Sequence, residues 1–194
     1  MKKAEQTRQF IIEKTAPIFN MKGYAGTSLS DMTEATGLTK GSIYGNFEDK
    51  DAVALAAFDY NARKVQEVMR REMDKHDTIR EKLLVYIHVY ENFEKFPFPQ
   101  GGCPLLNTTV DADDTHPELK TRVAGVVQGM KDRLTGLIEE GKRRGEFRQD
   151  LHAEQAALTL IATIEGFVML SRLKSRVHDL KLVTRSIEEM IRKF

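Results

Sequence analysis

The sequence contains little cysteine, few prolines and no long apolar run, and each shortage excludes a class of protein. A single cysteine, Cys103, cannot form an intrachain disulfide or a cysteine-rich metal framework, which suits a reducing compartment. No stretch approaches the roughly 18 consecutive apolar residues of a membrane span. The N-terminus is amphipathic and does not have the apolar block that is typical of a signal peptide. With five prolines in 194 residues, 41% hydrophobic and 30% charged residues, the composition predicts a folded cytoplasmic protein without membrane contact.

The charge balance offers no general attraction for nucleic acid. Thirty Lys and Arg residues face 29 Asp and Glu residues, a net charge of +1, and residues 1–50 contain seven basic and six acidic side chains. Any DNA-binding surface must therefore arise from a local arrangement of side chains.

Strand patterns are nearly absent, whereas apolar residues recur at spacings of three and four along most of the chain. We therefore predict an all-α fold in two parts, an N-terminal domain of three short helices with a helix-turn-helix, residues 1–50, and a C-terminal domain of longer helices, residues 51–194. The predicted helices span about residues 4–22, 29–36, 40–46, 50–74, 78–94, 103–110, 117–144, 152–175 and 179–193. Capping boxes that start at Thr78 and Thr115 open the fifth and seventh of these.

Capping residues predict three closely spaced helix starts in the N-terminal region. Ser28 and Asp31 have the spacing of a capping box, and Thr39 and Asp49 are placed to cap the next two helices. Such spacing is typical of a helix-turn-helix unit, whose short second helix enters a DNA groove. Pro17 lies inside the first predicted helix and is expected to bend it.

The side chains of this region suit contacts with phosphates and with bases. Thr27 and Ser28 offer hydroxyls and helix-start amides to phosphate oxygens, Lys40 and Lys50 add positive charge, and Tyr44 adds a phenol. Small residues of the short helix allow a close approach and are predicted to face the bases: Thr39, Gly41, Ser42 and Gly45. The small core between the three helices is predicted to contain Leu29, Met32, Ala35, Leu38, Ile43 and Phe47.

Residues 23–50 resemble the DNA-binding domain of the TetR family of transcriptional regulators. The similarity is carried by Gly23, Tyr24, Thr27, Ser28, Gly37, the segment 40–44, Phe47 and Lys50. Asn46 stands where many relatives have histidine, and it is expected to keep a polar phosphate contact. The resemblance implies a homodimeric repressor, or more rarely an activator, that a small-molecule or electrophile inducer releases from a palindromic double-stranded DNA operator.

The resemblance also implies that the C-terminal helices form the dimer interface and the ligand pocket. We predict the dimer on the last two helices, through residues of which some must belong to the core: Ala157, Leu160, Ile161, Ile164, Phe167, Leu170, Val183, Ile187, Met190 and Ile191. The candidate pocket residues combine apolar walls with polar tips: Tyr86, His88, Tyr90, Phe93, Cys103, Leu106, Val127, Met130 and Phe167. Aromatic and Met residues at helical spacing are more often plain core, which is the alternative for each of them.

The segment Gly101-Gly102-Cys103 resembles a stretch found in a TetR subgroup that includes electrophile-sensing and redox-sensing repressors. A thiol at a helix N-terminus is stabilised as the thiolate by the positive end of the helix, which would make Cys103 a better nucleophile. The alternative is that Cys103 is a small buried packing residue.

The remaining polar groups do not predict catalysis or a cofactor. An acidic cluster, Asp111, Asp113, Asp114 and His116, could hold a cation, although a solvated cap of the next helix is the favoured interpretation. No catalytic triad, phosphate-binding loop or metal motif is present, so we predict no enzymatic activity, no metal and no cofactor. A helical small-molecule-binding protein that has lost DNA binding is the alternative of another class, and the intact basic and phenolic side chains of the short helix argue against it.

Overall fold

The computed structural model describes residues 3–113, 115–173 and 177–194, and all regular structure in these ranges is helical. The elements are α1 Lys3–Gly26, α2 Leu29–Thr36, α3 Lys40–Tyr44, α4 Lys50–Met73, α5 Ile79–Glu91, a 3-10 turn Phe93–Lys95, α6 Pro104–Ala112, α7 Pro117–Arg143, α8 Ala153–Arg172 and α9 Val177–Arg192. The predicted all-α class is confirmed. Asp114 of the predicted acidic cluster, and residues 174–175 of the predicted eighth helix, lie outside the described residues.

The chain packs as two compact units. The first unit comprises residues 1–65 and 99–126, and the second comprises residues 66–98 and 127–194. The first unit therefore contains α1 to α3, α6, and the beginnings of α4 and α7. The units are defined by packing and do not test the predicted functional division after residue 50, which stays a prediction.

The core of the first unit lies among the short N-terminal helices. Ile11, Met32 and Ile43 are fully buried, and Phe47 is nearly so. Three members of the predicted small core are thus confirmed as buried residues, and the other three are only partly buried: Leu29, Ala35 and Leu38.

α1 leaves helical geometry at Gly23 rather than at Pro17. Gly23 has φ 73° and ψ 178°, a conformation with positive φ that glycine adopts without a steric penalty. Pro17 lies within α1 and keeps helical dihedral angles. The break therefore falls directly after the predicted end of the first helix at residue 22, and the bend expected at Pro17 stays a prediction.

The predicted N-caps of α2, α3, α4 and α5 are confirmed. Their acceptor side chains are those of Ser28, Thr39, Asp49 and Thr78. The prediction for α7 was wrong, because the helix begins at Pro117 and His116 supplies its cap in place of Thr115. The Nδ1 atom of His116 accepts a hydrogen bond from the Leu119 amide at 3.2 Å, which an imidazole can do in its neutral form.

The second unit is built around contacts among α5, α8 and α9. Its largest fully buried side chains are Ile79, Leu83, Ile87, Leu134, Ile138, Leu160, Ile164, Phe167 and Ile187. By length and composition alone, α8 is apolar enough to cross a membrane, with a mean hydropathy of 1.3. Core helices of soluble proteins meet the same criterion, and Leu160, Ile164 and Phe167 of α8 belong to the core of this unit.

Candidate nucleic-acid interface

A three-residue turn joins α2 to α3. Gly37 ends α2 in the left-handed conformation, with φ 67°, and its amide donates to the Thr33 carbonyl at 2.8 Å. Thr39 then begins the next helix, since its hydroxyl oxygen accepts from the Ser42 amide at 3.2 Å. Both ends of the turn are therefore held by hydrogen bonds, and α3 starts at a defined residue.

Nine of the ten predicted DNA-contact residues are partly or fully exposed: Ser28, Thr39, Lys40, Gly41, Ser42, Tyr44, Gly45, Asn46 and Lys50. Most of them lie on α3, its caps and the first residue of α4, and we call five of these the recognition surface. Its members are Thr39, Lys40, Gly41, Tyr44 and Lys50.

Gly41 leaves open space on the exposed side of α3. A Cβ atom added at this position would have the Thr39 hydroxyl oxygen as its nearest neighbour, at 4.0 Å, which is ordinary van der Waals contact. Packing inside the protein therefore does not require glycine at this position. A partner that approaches the α3 backbone closely would require it.

The polar members of the recognition surface have few partners within the protein. Among the described residues, Lys40 forms no ion pair and the Tyr44 hydroxyl makes no hydrogen bond. The Lys50 ammonium lies over the ring of Tyr24, 4.2 Å from its centroid. Two cations and one phenol of the recognition surface thus have few competing partners within the protein, as groups that contact phosphate oxygens would.

Thr27 and Ser28 are engaged inside the protein. Thr27 is 0% exposed and its hydroxyl donates to the Gly23 carbonyl at 2.6 Å, which argues against the predicted phosphate contact. The Ser28 amide and hydroxyl both lie 2.7 Å from the Asp31 carboxylate. Lys22 donates to the same carboxylate at 2.6 Å and holds its pKa far below the usual range, so the negative charge at the start of α2 persists in acid.

Arg8, which the sequence analysis did not identify, contacts the end of α3. Its guanidinium donates to the Asn46 carbonyl at 2.8 Å and lies 3.9 Å from the centroid of the Phe47 ring. The Asn46 side chain in turn donates to the Ser42 carbonyl at 2.9 Å. Arg8 lies 38 residues from Asn46, so no local pattern could have revealed this contact; it places a further positive charge beside the recognition surface.

Tyr24 connects the start of α4 with the end of α1. Its hydroxyl donates a short hydrogen bond to the Asp51 carboxylate, which raises the pKa of the phenol to about 12. Its ring packs edge-on against His116, with the ring centroids 4.5 Å apart. Because Lys50 lies over the same ring, Tyr24 also fixes where one cation of the recognition surface sits.

The described members of the acidic cluster serve structural contacts. The Asp111 carboxylate accepts from the Tyr24 amide at 2.5 Å, Asp113 forms an ion pair with Lys120 at 2.7 Å, and His116 caps α7. Among the described residues, no group of three or more His, Cys, Asp and Glu side chains is placed to hold a metal ion.

The candidate pocket residues differ in burial and in unit. Four are buried: Tyr86, Tyr90, Cys103 and Phe167. Three are partly buried: Leu106, Val127 and Met130. His88 and Phe93 are exposed, and His88 lies 2.9 Å from the Glu188 carboxylate. Cys103 and Leu106 belong to the first unit and the rest to the second.

Tyr86 is an unusual member of the second unit's core. The residue is 3% exposed, and its buried hydroxyl makes no hydrogen bond of normal geometry in the described structure. Burial raises the pKa of this phenol, an effect that the nearby Arg133 guanidinium partly offsets. A buried hydroxyl without a hydrogen bond costs about 1–3 kcal/mol, which a polar ligand atom could recover.

Most of the predicted dimer residues lie in the core of their own protomer. Seven are buried: Ala157, Leu160, Ile161, Ile164, Phe167, Ile187 and Ile191. Only Leu170, Val183 and Met190 are partly exposed. The large apolar side chains that do reach the surface of α8, its C-terminal cap and α9 are different ones: Leu158, Met169, Leu173 and Leu182. We call these four residues the outer apolar stripe.

Comparison with known proteins identifies the family. Residues 11–57 match the family model for bacterial regulatory proteins of the tetR family, and residues 80–187 match the tetracyclin repressor-like C-terminal domain. A solved TetR-family regulator from Cytophaga hutchinsonii is 47% identical, with a TM-score of 0.95, over 98% of this chain and 96% of its own. Another, from Chloroflexus aurantiacus, is 39% identical, with a TM-score of 0.91, over the same shares. The fatty acid metabolism regulator protein of Bacillus subtilis is 22% identical over 98% of this chain and 96% of its own. The chain therefore belongs to the TetR family of transcriptional regulators.

Proposed function

We propose that this protein is a cytoplasmic homodimeric repressor that binds a palindromic operator and is released by a small-molecule inducer. TetR-family regulators bind DNA operators and ligands and act as dimers. The observation that carries the proposal is the recognition surface, where a short capped helix presents the open side of Gly41 between the side chains of Lys40 and Tyr44.

Each part of the recognition surface has a separate task in this proposal. Gly41 lets the α3 backbone approach the floor of the major groove, where Thr39 faces the bases together with three neighbours: Ser42, Gly45 and Asn46. Lys40, Lys50 and the Tyr44 hydroxyl bind phosphates, because they have little to neutralise or satisfy them inside the protein. Ser28 contributes through its cap of α2, and Thr27 supports that turn from the interior.

The outer apolar stripe supports the dimer. Four exposed apolar side chains on α8, its cap and α9 are what a second copy would cover, and two-fold pairing would present two α3 helices to two half-sites. The stripe replaces the inward-facing residues named from the sequence, although the choice of the last two helices is unchanged.

Inducer binding is assigned to the second unit. Tyr86 supports this assignment, since its buried hydroxyl makes no hydrogen bond of normal geometry and the Arg133 guanidinium lies nearby as a second polar group for a ligand. The exposure of His88 and its contact with Glu188 argue against a role in the pocket. At 1% exposure, Cys103 fits the packing interpretation better than the electrophile sensor.

Selection of binding sites from a random DNA pool, followed by gel shifts, tests the proposal. We expect a palindromic site, and we expect Lys40→Ala to weaken its binding and to reduce the slope of log K against log salt by about 1.8, because each of the two subunits loses one phosphate contact. Tyr44→Phe removes only a hydroxyl and should weaken binding, whereas Tyr60→Phe, on a partly exposed tyrosine of α4, should not.

A control variant shows whether a loss of affinity is specific to the recognition surface. Lys193→Ala removes an exposed cation from the second unit and should leave the affinity and the salt slope unchanged. Failure to enrich any site at moderate salt would contradict the proposal and would favour a helical small-molecule-binding protein without DNA recognition.

A further inference from the structure

Side chains from two other helices form hydrogen bonds with backbone groups along one face of α1. The Asn61 amide of α4 donates to the Ala16 carbonyl at 2.9 Å. Four residues later, the Asn107 amide of α6 donates to the Asn20 carbonyl, also at 2.9 Å. These bonds are buried or partly buried, so they hold the helices in register on α1.

The third contact of this series lies at the break of α1. Four residues after Asn20, the Tyr24 amide donates to the Asp111 carboxylate of α6 at 2.5 Å. Gly23 has positive φ, and a Cβ atom there would lie 2.5 Å from an Asp111 carboxylate oxygen. The carboxylate is thus seated directly against the break in α1, with no space for a side chain between them.

The loop before α6 is attached to α1 as well. The Asn20 side chain, which is 4% exposed, donates to the carbonyls of Gln100 and Gly102 at 2.6 and 3.0 Å. Asn107 donates to the Gly101 carbonyl at 2.9 Å in addition to its bond with α1. Hydrogen bonds therefore run in both directions between the end of α1 and the segment that begins α6.

α6 lies outside the segment that matches the DNA-binding family model. That match covers residues 11–57, whereas α6 falls within the match to the C-terminal domain, residues 80–187. By packing, however, α6 belongs to the first unit together with α1, α2 and α3. Its side chains reach Tyr24, which contacts Lys50 of the recognition surface and precedes the cap of α2 by four residues.

We propose that Asp111 and Asn107 of α6 are positioning residues for DNA recognition: they fix the end of α1 and, through Tyr24, the placement of Lys50 and the start of α2. This inference rests on the proposed function. It assigns to α6 a part in the affinity for the operator without any contact with DNA.

The test compares three variants of the full-length protein. Asp111→Ala removes the acceptor of the Tyr24 amide, Asp111→Asn keeps an oxygen acceptor in a side chain of the same shape, and Asp113→Ala removes an exposed carboxylate two residues away. Amide hydrogen exchange of residues 20–30 in the free protein is measured first, and then affinity and salt slope for the selected operator.

We expect Asp111→Ala to raise exchange at the Tyr24 amide and to weaken operator binding, each about tenfold, as the loss of one partly buried hydrogen bond to a carboxylate allows. The salt slope should fall as Lys50 loses its position. Asp111→Asn should restore most of both effects, and Asp113→Ala should show neither. Asn107→Ala should change amide exchange and operator affinity in the same direction as Asp111→Ala. It therefore serves as the test variant if Asp111→Ala does not fold.

The outcomes distinguish a failure of the proposed function from a failure of the positioning role alone. If the wild-type protein selects no DNA site, the proposed function fails and the positioning role fails with it. If the wild type binds its site and Asp111→Ala binds equally well with the same salt slope, only the positioning role is overturned, whatever the exchange data show. Unchanged exchange at Tyr24 would overturn it as well.

Discussion

The two units expose different chemistry at the surfaces assigned to partners. The first unit presents a cation, a phenol and an open glycine on the short capped α3, and a second cation at the start of α4. The second unit presents the outer apolar stripe, whose four side chains are 48–71% exposed. A charged polymer is bound through charge and close backbone approach, whereas a second copy of a folded chain is bound by burial of apolar area. The proposed partners, DNA for the first unit and a second copy for the second, would account for the difference between the surfaces.

The largest effect is expected on dimerisation, from a substitution in the outer apolar stripe of the second unit. Met169→Glu places a charge in the outer apolar stripe, and an unpaired charge at an interface should weaken dimerisation by about 3 kcal/mol or more, over roughly 100-fold. Sedimentation equilibrium measures the change. Val110→Glu is the matched control, since Val110 is an apolar residue of the first unit that is 76% exposed. Equal dimer affinity in Met169→Glu and the wild type would place the interface elsewhere.

The open glycine of the first unit is the subject of the next prediction. Gly41→Ala should weaken operator binding by about 2 kcal/mol, roughly 30-fold, because the methyl group meets the DNA. The same change should raise the midpoint of thermal unfolding, since alanine stabilises an exposed helix by up to about 1 kcal/mol over glycine. Gly136→Ala in α7, where an added Cβ meets nothing within 4 Å, should share the gain in stability without the loss of affinity. Parallel effects in both variants would show that DNA does not approach Gly41.

A smaller effect concerns Cys103. Because the thiol is buried, maleimide should modify it far more slowly in the native protein than in denaturant. Cys103→Ser should lower the free energy of unfolding by about 1–2 kcal/mol, because a hydroxyl replaces a buried thiol, and should leave operator affinity unchanged. Thiol counting and calorimetry measure these quantities. Rapid stoichiometric modification that releases DNA would favour the electrophile sensor.

The smallest effect is expected at His88. Its contact with Glu188 is exposed, so His88→Ala should cost at most about 1 kcal/mol of folding free energy. Once an inducer is found, its potency should be the same for this variant and for the wild type, whereas Tyr86→Phe should reduce it. If the potency of the inducer depended on His88 and not on Tyr86, the pocket would instead lie at the surface of α5.

Much of the first unit was predictable because its structure depends on local rules. The caps at Ser28 and Thr39 involve residues three apart in sequence, and the left-handed Gly37 follows from the turn that they enclose. The cap of α7 shows the limit of such rules, because Thr115 fits the pattern and His116 occupies the position. Thr27 shows another limit, since a hydroxyl in a DNA-binding motif can be directed inward.

The second unit was less predictable. The spacing of apolar residues shows that a helix has a buried face, but it does not show which helix or which protomer covers that face. Leu160 and Ile164 lie in the protomer core, while Met169 on the same helix is exposed, and the sequence does not distinguish these environments.

By itself, the amino-acid sequence determined the helical class and the helix-turn-helix, because these follow from periodicity and capping within short segments, and the resemblance of residues 23–50 indicated the family. Only the tertiary structure decided that Arg8 holds the end of α3, that Asp111 holds the Tyr24 amide, and that α8 turns Met169 outward. Arg8 and Asp111 contact residues 38 and 87 positions away, and the outward face of α8 depends on which helices cover the opposite one. Such partners are selected by how all the helices pack together, and no single segment contains that information.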